Sequence, residues 1–155
     1  MHSFEVRGGK KLSGEIVPQG AKNEALQVIS AVLLTPEKVT IHNIPDIIDV
    51  NLLIALLEEM NVKVEHTGPG TCSFQAGDVN IDYLHSEAFK KKSGKLRGSV
   101  MLAGPMLGRF KKAFIPKPGG DKIGRRRLDT HIIGFEKLGA SFTFHEEDGF
   151  FHIET

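Results

Sequence analysis

Leu57-Glu58-Glu59-Met60-Asn61-Val62 returns in kind as Phe135-Glu136-Lys137-Leu138-Gly139-Ala140. Each stretch predicts a junction at which an amphipathic helix hands over to a strand. Upstream of the first copy, Leu52, Leu53, Leu56, Leu57 and Met60 recur at helical spacing, with Asp49 placed to cap that helix. Downstream, residues 61–65 alternate with a period of two, and residues 71–75 supply a partner strand across the Gly68-Pro69-Gly70 turn. Around the second copy the plan repeats. Asp129 is placed to cap a helix carrying Ile132, Ile133, Phe135 and Leu138, and strands follow at 140–145 and 150–154. The chain is therefore an α/β protein with an internal repeat.

The remaining segments extend this pattern to βαβαββ. Residues 22–34 predict a helix that ends before Pro36, and residues 39–44 a strand closed by Pro45. Residues 97–110 predict a helix interrupted or bent near Gly104-Pro105, followed by a strand at 112–116. Lys22 and Arg97 fall at equivalent helix starts in the two repeats. Residues 4–6 and 11–17 predict two further strands joined by a Gly8-Gly9 turn. The Lys90-Lys91-Lys92 cluster reads as a solvated connection rather than a nucleic-acid tract, because no aromatic residue interleaves with it for base stacking.

Composition narrows the function classes without naming a reaction. The 155 residues suffice for a core, and a net charge of +1 argues against nucleic acid as the default partner. No apolar run approaches the length needed to span a bilayer, and Met1-His2-Ser3-Phe4-Glu5-Val6 lacks the regions of a signal peptide. Cys72 is the only cysteine, which fits a reducing cytoplasm and reads as a packed, inert thiol. The seven histidines show no helical i, i+4 pair and no second cysteine joins Cys72, so no metal site is expected.

Chemistry concentrates in three places. Pro118-Gly119-Gly120-Asp121-Lys122-Ile123-Gly124-Arg125-Arg126-Arg127-Leu128-Asp129 sets one acid among glycines and cations. Glycines let backbone N–H groups approach a phosphate, and arginine holds carboxylate or phosphate bidentately. By itself the segment reads equally as a basic surface loop. The others are Gly20-Ala21-Lys22-Asn23-Glu24-Ala25-Leu26 and Lys95-Leu96-Arg97-Gly98-Ser99-Val100-Met101-Leu102-Ala103-Gly104-Pro105-Met106-Leu107.

In order and spacing these three motifs resemble those of the enolpyruvyl transferases. Lys22-Asn23 favours the branch that acts on a sugar nucleotide over the shikimate-pathway branch, whose members carry lysine-serine near the first helix. The resemblance implies an inside-out α/β barrel of repeated βαβαββ units, here incomplete: residues 22–155 form two units of the first domain, and the hairpin within residues 1–21 belongs to the other domain. It implies transfer of the enolpyruvyl group from phosphoenolpyruvate to UDP-N-acetylglucosamine with release of phosphate, in cytoplasmic peptidoglycan precursor synthesis, without a cofactor. An isolated chain of this length, shorter than a typical member, is expected to be inactive. The shikimate-pathway enolpyruvyl transferase and a non-catalytic module for anionic nucleotides are the alternatives.

Roles follow residue by residue from the resemblance. Lys22 contacts phosphoenolpyruvate, Asn23 touches both substrates, Arg97 helps hold the sugar nucleotide and Arg126 clamps phosphoenolpyruvate. Arg126, Arg127, Leu128, Asp129 and Thr130 form the segment that cradles uridine, with Arg127 and Thr130 standing where members usually have proline and leucine. His131 reads either as orienting that segment or as a core or capping residue. Asp121 occupies the place of the proton donor toward C3 of phosphoenolpyruvate, a cysteine in most members and an aspartate in some. An aspartic acid of ordinary pKa, about 3.9, costs about 4 kcal/mol to keep protonated at pH 7. The neighbouring cations favour the carboxylate, so protonation is expected to accompany binding of the anionic substrate.

Overall fold

The computed structural model describes residues 3–116, 127–146 and 149–155. Helix α1 (Lys22–Ala31) buries Ala25, Leu26, Ile29 and Ser30 along one face and tightens into a 3-10 turn, Val32–Leu34. Thr35 then turns extended, as a residue before proline must, and ends the helix ahead of Pro36. Strand β1 (Lys38–Ile41) leads to α2 (Ile48–Glu59), which buries Val50, Leu53, Ile54, Leu56 and Leu57. Asn61 closes α2 in the left-handed region at φ 67°, and its side-chain amide donates to the Asp78 carbonyl at 2.8 Å. Strands β2 (Lys63–Gly68) and β3 (Thr71–Gln75) follow, and β3 lies in the middle of a three-stranded antiparallel sheet in the order β1-β3-β2.

The second unit has the same topology. A 3-10 turn (Asp82–His85) and α3 (Glu87–Ser93) precede a 3-10 helix (Arg97–Leu102) that continues as α4 (Ala103–Phe110). Strand β4 (Lys112–Pro116), α5 (Asp129–Lys137), β5 (Ser141–His145) and β6 (Phe150–Glu154) complete it, with sheet order β4-β6-β5. In both units the last strand enters between the other two. The repeat expected from the helix-to-strand junctions is thus a repeat of topology.

Several expectations need correction. Neither unit opens with a strand: residues 3–21 contain none, and a 3-10 turn and α3 stand at the head of the second unit. The strands expected at 4–6 and 11–17 have no neighbour to complete their hydrogen bonds, and a lone hairpin is marginal in water. Phe4 is accordingly 98% exposed and Leu12 91%. The lysine cluster lies on α3, whose N-cap Ser86 accepts the Phe89 N–H at 3.1 Å and whose Phe89 is buried. The break in 97–110 falls at Leu102, where 3-10 geometry becomes α, and Pro105 is the third residue of α4. Asp49 and Asp129 do not cap. The N-cap positions belong to Ile47 and Leu128, and the two acids lie in the first turns, where the helix dipole favours them.

One apolar core runs through both units, joining Ile29, Leu33, Leu53, Leu57 and Phe74 to Leu96, Met106 and Ile153. Helix α1 packs on α2 and on Arg97–Leu102, and α4 packs on Val32–Leu34. The Arg109 guanidinium reinforces this seam, Nη1 donating to the Leu33 carbonyl at 3.0 Å and to the Ala76 carbonyl at 2.7 Å. By contrast α5 buries no residue, and Ile133 is half exposed. Cys72 is buried on β3, and burial pushes its thiol up, consistent with an inert role.

Candidate functional site

The site begins with a close approach that only glycine allows. A Cβ at Gly20 would lie 2.0 Å from the Asn43 carbonyl oxygen, so the chain passes tightly beside the loop after β1 before α1 starts. Ala21 is the N-cap and offers no side-chain acceptor, leaving the first-turn N–H groups of α1 without a side-chain cap. Lys22 and Asn23 are the first residues of that turn. Lys22 Nζ reaches across to Asp49 Oδ2 at 2.9 Å, with the two side chains 45% and 37% exposed. At this exposure the pair is a weak electrostatic tie that orients the lysine more than it stabilises the fold.

A second close approach brings in Arg97. A Cβ at Gly98 would lie 2.8 Å from Leu26 Cδ1, so the glycine lets Arg97–Leu102 settle against α1. Leu96 is buried just before it, and Ser99 Oγ donates to the Ser93 carbonyl at 3.0 Å, pinning the start of this 3-10 helix. Between these elements opens a cavity of about 330 Å³. Helix α1 lines it with Lys22, Asn23, Leu26 and Gln27, and α2 contributes Asp49. Lys95, Arg97, Gly98, Val100 and Met101 form the opposite wall, with Leu128 and His131 from the start of α5.

Three cations (Lys22, Lys95 and Arg97) thus face one carboxylate, Asp49. Such a cavity suits an anionic ligand with an apolar or uncharged part against Leu26, Val100, Met101 and Leu128. Among the described residues, no cluster of His, Cys, Asp or Glu could hold a metal ion.

Of the residues singled out in the sequence, Lys22, Asn23, Arg97 and Leu128 come together in this cavity. Arg127 and Asp129 stand beside it, their charges joined in an ion pair, and Thr130 is exposed on α5. Asp121 and Arg126 lie outside the described residues. Sequence reasoning missed Asp49 as a site residue, having given it to a helix cap, and missed Lys95. Their positions depend on contacts between elements distant in the chain, and no local spacing announces them.

Residues 6–155 match the family described as EPSP synthase (3-phosphoshikimate 1-carboxyvinyltransferase). The chain belongs to this family. Among its relatives, a UDP-N-acetylglucosamine 1-carboxyvinyltransferase of Bacteroides fragilis is 61% identical over 153 residues, covering 99% of this chain and 35% of the relative. One of the same name from Porphyromonas gingivalis is 58% identical over 147 residues, covering 95% of this chain and 34% of the relative. The chain therefore spans about a third of the length of the curated relatives it matches.

Solved structures agree on the fold. The enolpyruvyl transferase NikO from Streptomyces tendae superposes with a TM-score of 0.71 at 21% identity, over 96% of this chain and 31% of that one. EPSP synthase from Acinetobacter baumannii gives 0.59 at 14% identity, over 91% and 32%. The fold is that of the enolpyruvyl transferase family, in part, as the repeated units imply. No helix among the described residues is long and apolar enough to cross a membrane.

Proposed function

We propose that this chain forms one side of the site of a UDP-N-acetylglucosamine 1-carboxyvinyltransferase. The observation that carries the reading is the convergence of Lys22, Asn23, Arg97 and Leu128, far apart in sequence, on one cationic cavity. The identity to relatives of that name supports it further.

In this reading Lys22, beside the N–H groups that open α1, faces the anionic groups of phosphoenolpyruvate. Asn23 both donates and accepts, which suits the sugar hydroxyl and the tetrahedral intermediate. Arg97 holds the sugar nucleotide, and the segment of Arg126, Arg127, Leu128, Asp129 and Thr130 cradles uridine. The sugar hydroxyl oxygen bonds to C2 of phosphoenolpyruvate and gives up its proton to a base, while Asp121 delivers a proton to C3. Loss of a proton from C3 and cleavage of the C2–O bond then release phosphate and leave the enol ether. Turnover requires the surfaces that the longer relatives carry beyond this chain's match, because water must be excluded and the charge clamp completed around both substrates.

The same reading assigns residues 1–21 to contacts with that remaining part of the protein, which accounts for the exposed side chains of Phe4, Val6, Leu12 and Ile16. It places the reaction in peptidoglycan precursor synthesis, in the cytoplasm. Titration of the chain with UDP-N-acetylglucosamine, followed by amide resonances, tests the proposal. Shifts at Lys22, Asn23, Arg97 and residues 127–130 are expected. Shifts confined to other surfaces would overturn the assignment.

A further inference from the structure

Helix α1 presents a neutral polar stripe to the cavity as well as the charge of Lys22. Ala25, Leu26, Ile29 and Ser30 are buried and fix the rotation of the helix against the core. Asn23 and Gln27, four residues apart, therefore share one exposed face, and both line the cavity. Side chains at this spacing have Cβ atoms about 5–6 Å apart, the scale of one sugar ring. No hydrogen bond among the described residues engages either side-chain amide. Other amides are committed to the fold. Asn51 Nδ2 donates to Asp46 Oδ1 at 2.8 Å, Asn61 Nδ2 donates to the Asp78 carbonyl at 2.8 Å, and Asn80 Oδ1 accepts the Tyr83 N–H at 3.2 Å.

The family motif at the start of α1 ends at Leu26, and Gln27 lies just beyond it. We propose that Gln27 is a binding residue of this site, reading with Asn23 the uncharged sugar of a nucleotide sugar. The proposal rests on the functional reading above and extends it by one turn of α1. A primary amide has no charge to set against a phosphate, but it both donates and accepts, as sugar hydroxyls and an acetamido group do. Leu26 beside the amides and Met101 on the opposite wall supply apolar cover for the face of the ring, while its polar rim meets Asn23 and Gln27.

The test is calorimetric titration of the 155-residue chain with UDP-N-acetylglucosamine and, separately, with UDP, comparing the wild type with Gln27→Met and Gln27→Ala. Gln27 is exposed, and methionine and alanine are both good helix formers, so neither variant threatens α1. UDP carries the nucleotide and diphosphate without the sugar, and so controls for a general change in the site. The wild type is expected to bind the sugar nucleotide more tightly than UDP. Both variants are expected to weaken binding of UDP-N-acetylglucosamine about threefold to tenfold, the net range of one neutral hydrogen bond, and to leave UDP binding unchanged.

Unchanged affinity of both variants for the sugar nucleotide would overturn the role of Gln27 while leaving the functional reading intact. Equal losses for the two ligands would overturn it too, by placing the effect outside the sugar. So would a wild type that binds UDP as tightly as the sugar nucleotide. Failure of the wild type to bind either ligand would overturn both readings.

Discussion

Replacing Arg109 by methionine should separate the two repeated units energetically. Arg109 lies in the last turn of α4, in the second unit, yet its Nη1 donates to Leu33 at 3.0 Å and Ala76 at 2.7 Å, both in the first. Leu33 and Ala76 are fully buried, so neither carbonyl gains ready access to water when the donor is removed. Hydrogen bonds from a charged donor contribute about 1.5–3 kcal/mol each. The shared nitrogen and partial solvation of the guanidinium reduce the pair to about 2–4 kcal/mol. Methionine keeps most of the apolar stem, so the loss isolates the polar contacts rather than creating a cavity.

In urea the midpoint should fall with an unchanged slope, because the same surface is exposed on unfolding. In a thermal scan the loss corresponds to roughly 6–12 °C for a domain of this size. The wild type should unfold in a single transition, as one shared core requires. A change below about 0.5 kcal/mol, the level of an ordinary surface substitution, would show that Arg109 does not hold the seam. Two separate wild-type transitions would refute the shared core itself.

Two further outcomes are expected. The Glu59 carboxylate accepts from Lys92 Nζ and the Tyr83 hydroxyl, which hold its pKa below the usual 4.5. Its contribution is therefore present above pH 4.5 and lost as pH falls through the lowered value. Both Glu59 and Lys92 are over a third exposed, so Glu59→Gln should cost at most about 1 kcal/mol at pH 7 and flatten the acid limb of stability against pH; an unchanged limb would count against the pairing. The full-length protein with Asp121 should resist fosfomycin, the epoxide that alkylates the cysteine usual at that position, because carboxylate attacks an epoxide far less readily than thiolate. Mass spectrometry of Asp121→Cys with drug and sugar nucleotide should show the adduct, and rapid alkylation of Asp121 itself would refute this view of the site.

Helix α2 and the hairpin after it were legible because burial on one face imposes a period that the residues carry locally, whereas α5 carries the apolar spacing of Ile132, Ile133, Phe135 and Leu138 yet buries no residue. Lys22 and Arg97 each open a helical segment at the same point of the repeat, but their place in a site was legible only through the motifs that resemble the enolpyruvyl transferases. Helix α3 was not, since it buries only Phe89 and Ser93, and its three lysines mask any apolar stripe. Residues 4–6 and 11–17 predict strands about the Gly8-Gly9 turn, but a strand needs a neighbour, and pairing is not encoded in the segment itself. Asp49 shows the limit most clearly. Its sequence context fits a cap, while its partner Lys22 lies 27 residues away and meets it only once α1 and α2 have packed.

Phosphate release from a chimera gives the most direct measure of whether this chain forms the cationic side of a transferase site. Its residues would be joined to the part of the Bacteroides fragilis relative that lies beyond the match. With phosphoenolpyruvate and UDP-N-acetylglucosamine, the chimera is expected to turn over. Lys22→Met and Arg97→Met should each lower that rate, Lys22→Met by at least about a hundredfold as a charge aimed at the reacting group is removed. A folded chimera that releases no phosphate, or one whose turnover is indifferent to Lys22→Met, would contradict the account.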